Sequence, residues 1–330
     1  MKYRRLGGAG VKVSEISLGS WISCDDLNAK EDSFRIIEKA YECGINFFDS
    51  ANVYSQGRAE IILGEALRKF PRETCVIATK VYWPMGEGPN QRGLSRKHIM
   101  EESEKSLKRL GTDYIDLYYC HWFDHEVPVE ETLRAMDDLI RRGMILYFGV
   151  SNWTAAQISE GLRVCDRFLL DRMVANQPSY NMFDRYIEKE TIPLCMKNGI
   201  GQVVYSPLAQ GTLTGKYRRG TEYAAGSRAA NRNIKAEVTV WDYLNDEILG
   251  QVEKLTQIAD EAGVRLSQLA LAWILRQTNV ASALTGASRP SQVEENVKAS
   301  DISLSDGLLS RIGEVLDSGA YTVKHNIVLE

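Results

Sequence analysis

Eight short apolar runs, separated by longer stretches of helical period, place the strongest constraint on what this sequence can fold into. The runs lie near residues 16–21, 46–51, 75–80, 115–120, 145–150, 172–176, 201–206 and 280–285. Between them fall amphipathic segments such as 32–41, in which Phe34, Ile37, Ala40 and Tyr41 recur at helical spacing. Strands that alternate with helices build a parallel sheet, and eight of them close it. The expected fold class is α/β, a (β/α)8 TIM barrel.

The helix signals support that count. Ser95 opens a helix that runs to Leu110, with Gly111 as its stop, and Pro128 and Glu130 mark the start of a segment ending at Gly143. Further helices are expected near 245–262, 267–278 and 305–318. Residues 3–6 and 11–13 read as an N-terminal hairpin around Gly7 to Gly10. Gly8-Ala9-Gly10 is poor evidence for a dinucleotide-binding turn, because no buried strand precedes it and no helix follows. The stretch from Ala209 to about Val240 is rich in Gly, Arg, Ala and Asn and offers few apolar anchors. Long irregular loops are usually functional or disordered, and this one follows the seventh strand, where a barrel keeps its active-site loops. We read it as a cofactor-covering loop.

At 330 residues the length permits two domains, yet barrels of this type commonly reach it as one. We expect a single domain over 1–328; Leu329-Glu330 fits a tag remnant as well as native chain and is left outside it. The 40 basic and 44 acidic residues give a net charge of −4, which provides no reason to expect nucleic acid or an anionic membrane as partner. The start of the chain lacks an apolar leader, and no segment approaches 18 uninterrupted apolar residues, so membrane insertion and secretion are disfavoured. Six cysteines, at 24, 43, 75, 120, 165 and 195, show no CxxC spacing and fit reduced thiols in a cytoplasmic protein.

Three of the apolar runs end on polar groups. Phe47-Phe48-Asp49-Ser50-Ala51-Asn52-Val53-Tyr54 delivers a carboxylate and a phenol, Val76-Ile77-Ala78-Thr79-Lys80 an ammonium, and Ile115 to His121 an imidazole. Brought together, Asp49, Tyr54, Lys80 and His121 can make a proton donor. An isolated phenol has a pKa of about 10 and is a poor acid at neutral pH. A neighbouring ammonium favours the phenolate and should lower that value, Asp49 would hold the ammonium, and His121 would hydrogen-bond the oxygen being protonated. That set suits carbonyl reduction. Singly, each residue has a bland alternative: a helix cap, a surface phenol, a solvated strand end, a satisfied loop histidine. His121 and His125 form an HxxxH pattern, but Trp122, Phe123 and Pro128 place it in a loop, and without a third ligand no metal is expected. Cys120 beside His121 should point to the opposite face of its strand, which argues against a thiol hydrolase.

The chain also resembles the aldo-keto reductases, closest to the branch of the voltage-gated potassium-channel β-subunits and their bacterial relatives. The resemblance rests on Gly19-Ser20-Trp21, Phe48-Asp49-Ser50-Ala51, Gly149-Val150-Ser151-Asn152, Gln177-Pro178-Ser179-Tyr180-Asn181, Tyr205-Ser206-Pro207-Leu208 and Gly286-Ala287-Ser288. It implies an oxidoreductase acting on CH–OH donors, with the four residues above as its catalytic group and NADPH/NADP+ as cofactor. It assigns Ser151, Asn152 and Gln177 to the nicotinamide carboxamide and Tyr205 to ring stacking. Ser206, Leu208, Gly211, Lys216 and Arg228 would follow the pyrophosphate. Ser288, Arg289 and Gln292, at a turn into a helix, would take a 2′-phosphate, with Glu295 and Asn296 at the adenine. Ser20, Trp21, Asp49, Pro207 and Gly286 are counted with the nucleotide contacts.

Trp21, Trp83 and Trp122, with Tyr54 and His121, are expected at an aromatic mouth for a small carbonyl substrate, while Trp153 fits either that mouth or the start of a helix. Animal channel subunits carry Asn where His121 stands, so this chain looks like the catalytically complete form. The resemblance further implies that the hairpin caps the barrel bottom and that the protein forms a homo-oligomer, a tetramer or larger. The rival expectation is a redox-responsive nucleotide-binding regulatory subunit.

Overall fold

The computed structural model describes residues 1–21, 30–223, 227–230 and 240–318. The hairpin is β1 (Tyr3–Arg5) and β2 (Lys12–Ser14). The eight barrel strands follow as β3 (Ile16–Gly19), β4 (Phe47–Asp49), β5 (Val76–Val81), β6 (Ile115–Cys120), β7 (Ile145–Ser151), β8 (Ala175–Gln177), β9 (Gly201–Val204) and β10 (Val280–Thr285). All pair in parallel, and β10 closes on β3. The expected (β/α)8 barrel is present.

Several strands end earlier than their apolar runs. β3, β4 and β9 stop at Gly19, Asp49 and Val204, because Ser20, Ser50 and Tyr205 already turn toward the loops. The sixth strand is expected over 172–176 but spans Ala175–Gln177. Asp171 and Arg172 are instead exposed, with Arg172 paired to Asp166.

The helices lie outside the sheet. They are α1 (Lys30–Glu42), α2 (Arg58–Leu67), α3 (Arg96–Leu110), α4 (Val129–Arg141), α5 (Ala155–Phe168), α6 (Thr191–Lys197), α7 (Asp246–Glu261), α8 (Leu266–Leu275), α9 (Pro290–Val297) and α10 (Asp306–Asp317). Ser95 caps α3 by accepting from the His98 amide, and Gly111 ends it at φ +64°. Trp153 precedes α5 and is buried edge-to-face against Phe123. Of the two readings of this tryptophan, the mouth or the start of a helix, the structure shows the second.

Strand alternation decides what enters the barrel. Phe47, Val76, Ala78, Leu117, Tyr119, Ala175, Val203 and Ala281 fill its interior, and Leu6 and Val13 of the hairpin plug the same cluster. The hairpin closes the end where the strands begin. Gly8 N–H donates to the Gly199 carbonyl, Ser14 N–H to Asn46 Oδ1, and the Ala283 amide to the Glu15 carbonyl. Outward-facing strand residues such as Phe48, Ile77 and Tyr118 pack under the helices in the larger core.

Of the loop expected over Ala209 to about Val240, residues 224–226 and 231–239 lie outside the described residues; the described part is better anchored than its composition indicates. It contains short 3-10 turns at Ala209–Thr214 and Arg228–Ala230. Tyr217, Ala229, Val240 and Leu249 form a small apolar core, with Tyr223 and Leu244 packed on it. The expectation of few anchors is therefore corrected: the aromatic residues scattered through the loop meet α7.

Helix α2 sits close to α3 because Gly64 has no side chain. A Cβ there would lie 2.1 Å from the Leu110 carbonyl oxygen. Gly64→Ala must push the two helices apart, and overpacking of this kind costs about 1–3 kcal/mol. Urea unfolding of the variant should show that loss; unchanged stability would mean that α2 moves freely against α3.

Candidate active site

Alternation also sets the polar groups. Phe47, Ala78, Tyr119, Ala175 and Val203 point inward, and Asp49, Lys80, His121, Gln177 and Tyr205 each stand two residues further on, facing the same way. Ser151 follows Gly149, which abuts the inward Tyr119 ring. The strands thus present one ring of side chains at their C-terminal ends, the end at which barrel enzymes hold their active sites.

Lys80 and Asp49 form the buried centre of that ring, with side chains 0% and 1% exposed. The Lys80 ammonium donates to Asp49 Oδ1, to the Ser50 carbonyl at 2.6 Å, and more weakly to the Tyr54 hydroxyl at 3.4 Å. From Asp49 the bonding continues across the barrel. Gln177 Nε2 donates to Asp49 Oδ2 at 2.8 Å, and Ser151 Oγ to the Gln177 carbonyl at 2.8 Å. Asn152 Nδ2 donates to Ser151 Oγ, and the Tyr205 hydroxyl to Asn152 Oδ1 at 3.0 Å. One network therefore links seven of the expected site residues, Tyr54, Lys80, Asp49, Gln177, Ser151, Asn152 and Tyr205.

Burial dominates the titration of these groups. It opposes the Lys80 charge, yet Asp49 and Tyr54 outweigh it and hold the ammonium above its ordinary value. Burial raises Asp49 in spite of Lys80 and Gln177. It also raises Tyr54, and the lowering by Lys80 does not cancel it. The expectation of a depressed phenol is thus corrected for the free protein, because at 3.4 Å the ammonium gives most of its bonding to Asp49 and Ser50. Burial, with the Lys80 charge adding to it, holds His121 well below its ordinary value.

The Tyr54 and His121 rings meet edge-on at 5.8 Å between centroids, and Trp83 lies 6.4 Å from His121 and 6.2 Å from Trp122. These aromatic rings are brought together. Trp21 carries the Arg228 guanidinium 5.6 Å above its ring.

Arg228 is half-buried, donates to Gln210 Oε1, and lies beside Gly286, where a Cβ would sit 3.7 Å from Nη2. No carboxylate pairs with it among the described residues, and burial lowers its pKa. A half-buried guanidinium without a carboxylate partner among the described residues fits an anion. Gln210, which sequence reasoning missed, also donates to Ser206 Oγ at 2.7 Å and joins the two. Its only sequence signal is its place two residues beyond Leu208. Pro207 and Leu208 form the turn between them, and Lys216 reaches back toward Gly211, whose φ is +98°.

At the other expected end, Ser288 N–H and Oγ both contact Gln292 Oε1, and Arg289 Nε donates to Ser291 Oγ at the start of α9. Ser20 lies at the end of β3, its hydroxyl on Ser50 Oγ at 2.9 Å. Glu295 instead pairs with Arg265 at 3.0 Å, and Asn296 is buried, so neither is left free beside Arg289. Among the described residues no group of three or more His, Cys, Asp or Glu side chains could hold a metal ion.

A parallel barrel with this ring of side chains defines the class to which comparison with known proteins also leads. The aldo/keto reductase family model matches residues 15–317, and the chain belongs to that family. It is 45% identical over 323 residues to a probable voltage-gated potassium channel subunit beta of Arabidopsis thaliana, covering 96% of this chain and 97% of the relative. A protein of the same description from Oryza sativa subsp. japonica is 44% identical, covering 92% of each chain. A putative voltage-gated potassium channel subunit beta of Schizosaccharomyces pombe is 39% identical, covering 96% of this chain and 93% of its own. The chain sides with that branch, as its motifs indicate.

The His121 imidazole should remain neutral at mildly acidic pH. A histidine whose folded pKa is depressed binds its proton in the unfolded chain first, so stability is lost as pH falls below its unfolded value of about 6.5. His121→Asn should therefore lose less stability between about pH 7 and 5 than the natural chain does. Parallel stability curves from urea unfolding would show that the native imidazole takes the proton.

Proposed function

We propose that this protein reduces aldehydes and ketones to alcohols with NADPH. The reading is carried by the Tyr54 hydroxyl, held at the mouth of the barrel against a buried Lys80–Asp49 ion pair. NADPH, when bound, would supply the hydride. Tyr54 would give its proton to the carbonyl oxygen, and the Lys80 ammonium would stabilise the phenolate left behind. The neutral His121 would donate a hydrogen bond to the same oxygen and orient it. Trp83 and Trp122 would exclude water and hold the apolar part of the substrate, with Trp21 across from them.

Support for the nucleotide comes from Arg228, which has no carboxylate partner among the described residues and lies near Gln210 and Gly286, and from Tyr205 as a half-buried ring at the strand end. Ser151, Asn152 and Gln177 would exchange part of their mutual bonding for the carboxamide. Ser288, Arg289 and Gln292 would hold the 2′-phosphate. Arg265 occupies Glu295, so adenine contacts would need that pair to open. The five free cysteines among the described residues fit a reducing compartment such as the cytoplasm. No helix among the described residues is long and apolar enough to cross a membrane.

A second reading is a redox-responsive nucleotide-binding regulatory subunit, assembled as a tetramer or larger; the names of the relatives, each a probable or putative voltage-gated potassium channel subunit beta, favour its regulatory part alone. Turnover of NADPH with 4-nitrobenzaldehyde separates the two. Tyr54→Phe keeps the ring and removes the donor, so turnover should fall about 100-fold or more while NADPH binding holds. Retention of more than about half the natural rate with every reducible aldehyde would remove Tyr54 from the role of acid.

Cofactor choice should depend on Arg289, whose guanidinium makes no ion pair among the described residues. Arg289→Ala should weaken NADPH by about 1.5–3 kcal/mol and NADH much less, as expected for a charge-assisted phosphate contact. Equal weakening of both nucleotides in a titration would make the arginine structural.

A further inference from the structure

Behind the candidate active site, on the outer side of the barrel, lies a buried charged cluster that none of the expected roles uses. Glu60 of α2 and Glu102 of α3 are almost wholly buried, and Arg109 joins them. Its Nε donates to Glu60 Oε2 at 2.5 Å, and its Nη2 to Glu102 Oε2 at 3.3 Å and Ser106 Oγ at 3.1 Å. Lys105 donates to Glu102 Oε1 at 2.8 Å from the surface.

Both carboxylates also reach back to neighbours of the candidate catalytic residues. Thr79 precedes Lys80 on β5, and because strand residues alternate it faces outward where Lys80 faces inward. Its Oγ1 donates to Glu60 Oε1 at 2.6 Å. Asn52 stands two residues before Tyr54 and is fully buried. Its Nδ2 donates to Glu102 Oε2 at 3.2 Å, and its amide to the Lys80 carbonyl at 3.2 Å. One continuous path therefore runs from the Lys80 backbone through Thr79, Glu60, Arg109, Glu102 and Asn52 to the loop that carries Tyr54.

That loop has an unusual backbone. Ser55, Gln56 and Gly57 are all left-handed, at φ +49°, +53° and +89°. Such residues persist where their surroundings over-determine them. A Cβ on Gly57 would come within 2.7 Å of Arg109 Cδ, so the arginine packs directly on the bend. Buried ion clusters are weak contributors to stability, and apolar replacements of similar volume are often neutral. Their best-attested use is to fix one arrangement among several.

We propose that Glu60, Arg109 and Glu102 are positioning residues that hold the Tyr54 hydroxyl at its distance from the Lys80 ammonium. The proposal rests on the reading of Tyr54 as the proton donor. With the bend free to relax, the 3.4 Å contact would lengthen, and the ammonium would no longer stabilise the phenolate.

The test compares Arg109→Met, Arg109→Lys, Glu102→Gln and Thr79→Val in the full chain. It reads NADPH affinity by fluorescence, 4-nitrobenzaldehyde turnover between about pH 6 and 9, and the Tyr54 phenol by NMR of labelled tyrosine, assigned with Tyr54→Phe. Arg109→Met should lower kcat about tenfold to a hundredfold, the scale of a misplaced reacting group, with NADPH affinity little changed. The alkaline limb of the profile and the Tyr54 resonance should move with it, and Arg109→Lys should restore part of both. If Arg109→Met does not fold, Thr79→Val, which removes one hydroxyl, carries the same readouts. Lowered melting temperature with unchanged kcat, profile and Tyr54 resonance in the folded variants would overturn the proposal. If the natural chain reduces no carbonyl compound, the proposed reaction fails, and the Tyr54 resonance alone decides whether the cluster holds the loop.

Discussion

The site depends on an ammonium buried inside a barrel. Lys80 is buried away from solvent, so its charge persists through the Asp49 carboxylate, with the Ser50 carbonyl and the Tyr54 hydroxyl also bonded to it. Removing one member of such a pair leaves the other uncompensated and costs about 3–5 kcal/mol. The pair joins β4 to β5, and Gln177 extends the same carboxylate to β8. A group whose loss is that costly is held in one place, and a rigidly placed ammonium is what a proton-donating phenol needs beside it.

Local strain gathers around this centre. Among the described residues, seven non-glycine positions have positive φ, and six of them follow barrel strands on the side of the site: Ser55, Gln56, Asn152, Ser206, Ala209 and Gln210. Leu169, which ends α5, is the exception. Left-handed backbone costs of order 1–3 kcal/mol per residue and survives where packing enforces it. Here the packing is available, because the strands beneath are buried on both faces. The bends aim Asn152 at Tyr205 and Gln210 at Arg228, contacts that a straight continuation of the strands would not make.

Much of this was legible from the residues because it follows from period and parity. The eight apolar runs became the eight strands, Ser95 and Gly111 bounded α3, and Asp49, Lys80 and His121 share a face because each lies at an even offset along an inward row. Other features depend on distances between distant segments, and no local pattern encodes them. Gln210 bridging Ser206 to Arg228, Glu295 taken by Arg265, and the Tyr217–Ala229–Val240–Leu249 core are of that kind. The direction of the Tyr54 shift failed for a quantitative reason. The sequence showed that an ammonium would be near, but not that burial would outweigh it at 3.4 Å.

The charge state of the whole ring gives the strongest argument for carbonyl chemistry. Lys80 is held charged by its partners, and Tyr54 and His121 are held neutral by burial, with Lys80 itself opposing a proton on the imidazole. Beside the Asp49–Lys80 pair, the mouth therefore offers two neutral hydrogen-bond donors between aromatic walls. In the proposed reaction that environment would accept an uncharged carbonyl without a desolvated counterion, and it would become strongly favourable as negative charge develops on the oxygen. An imidazolium in place of the neutral ring would repel Lys80 and pull anions into the mouth instead. Under the proposed reaction, burial of His121 against Lys80 would select the substrate's charge as well as orient its oxygen.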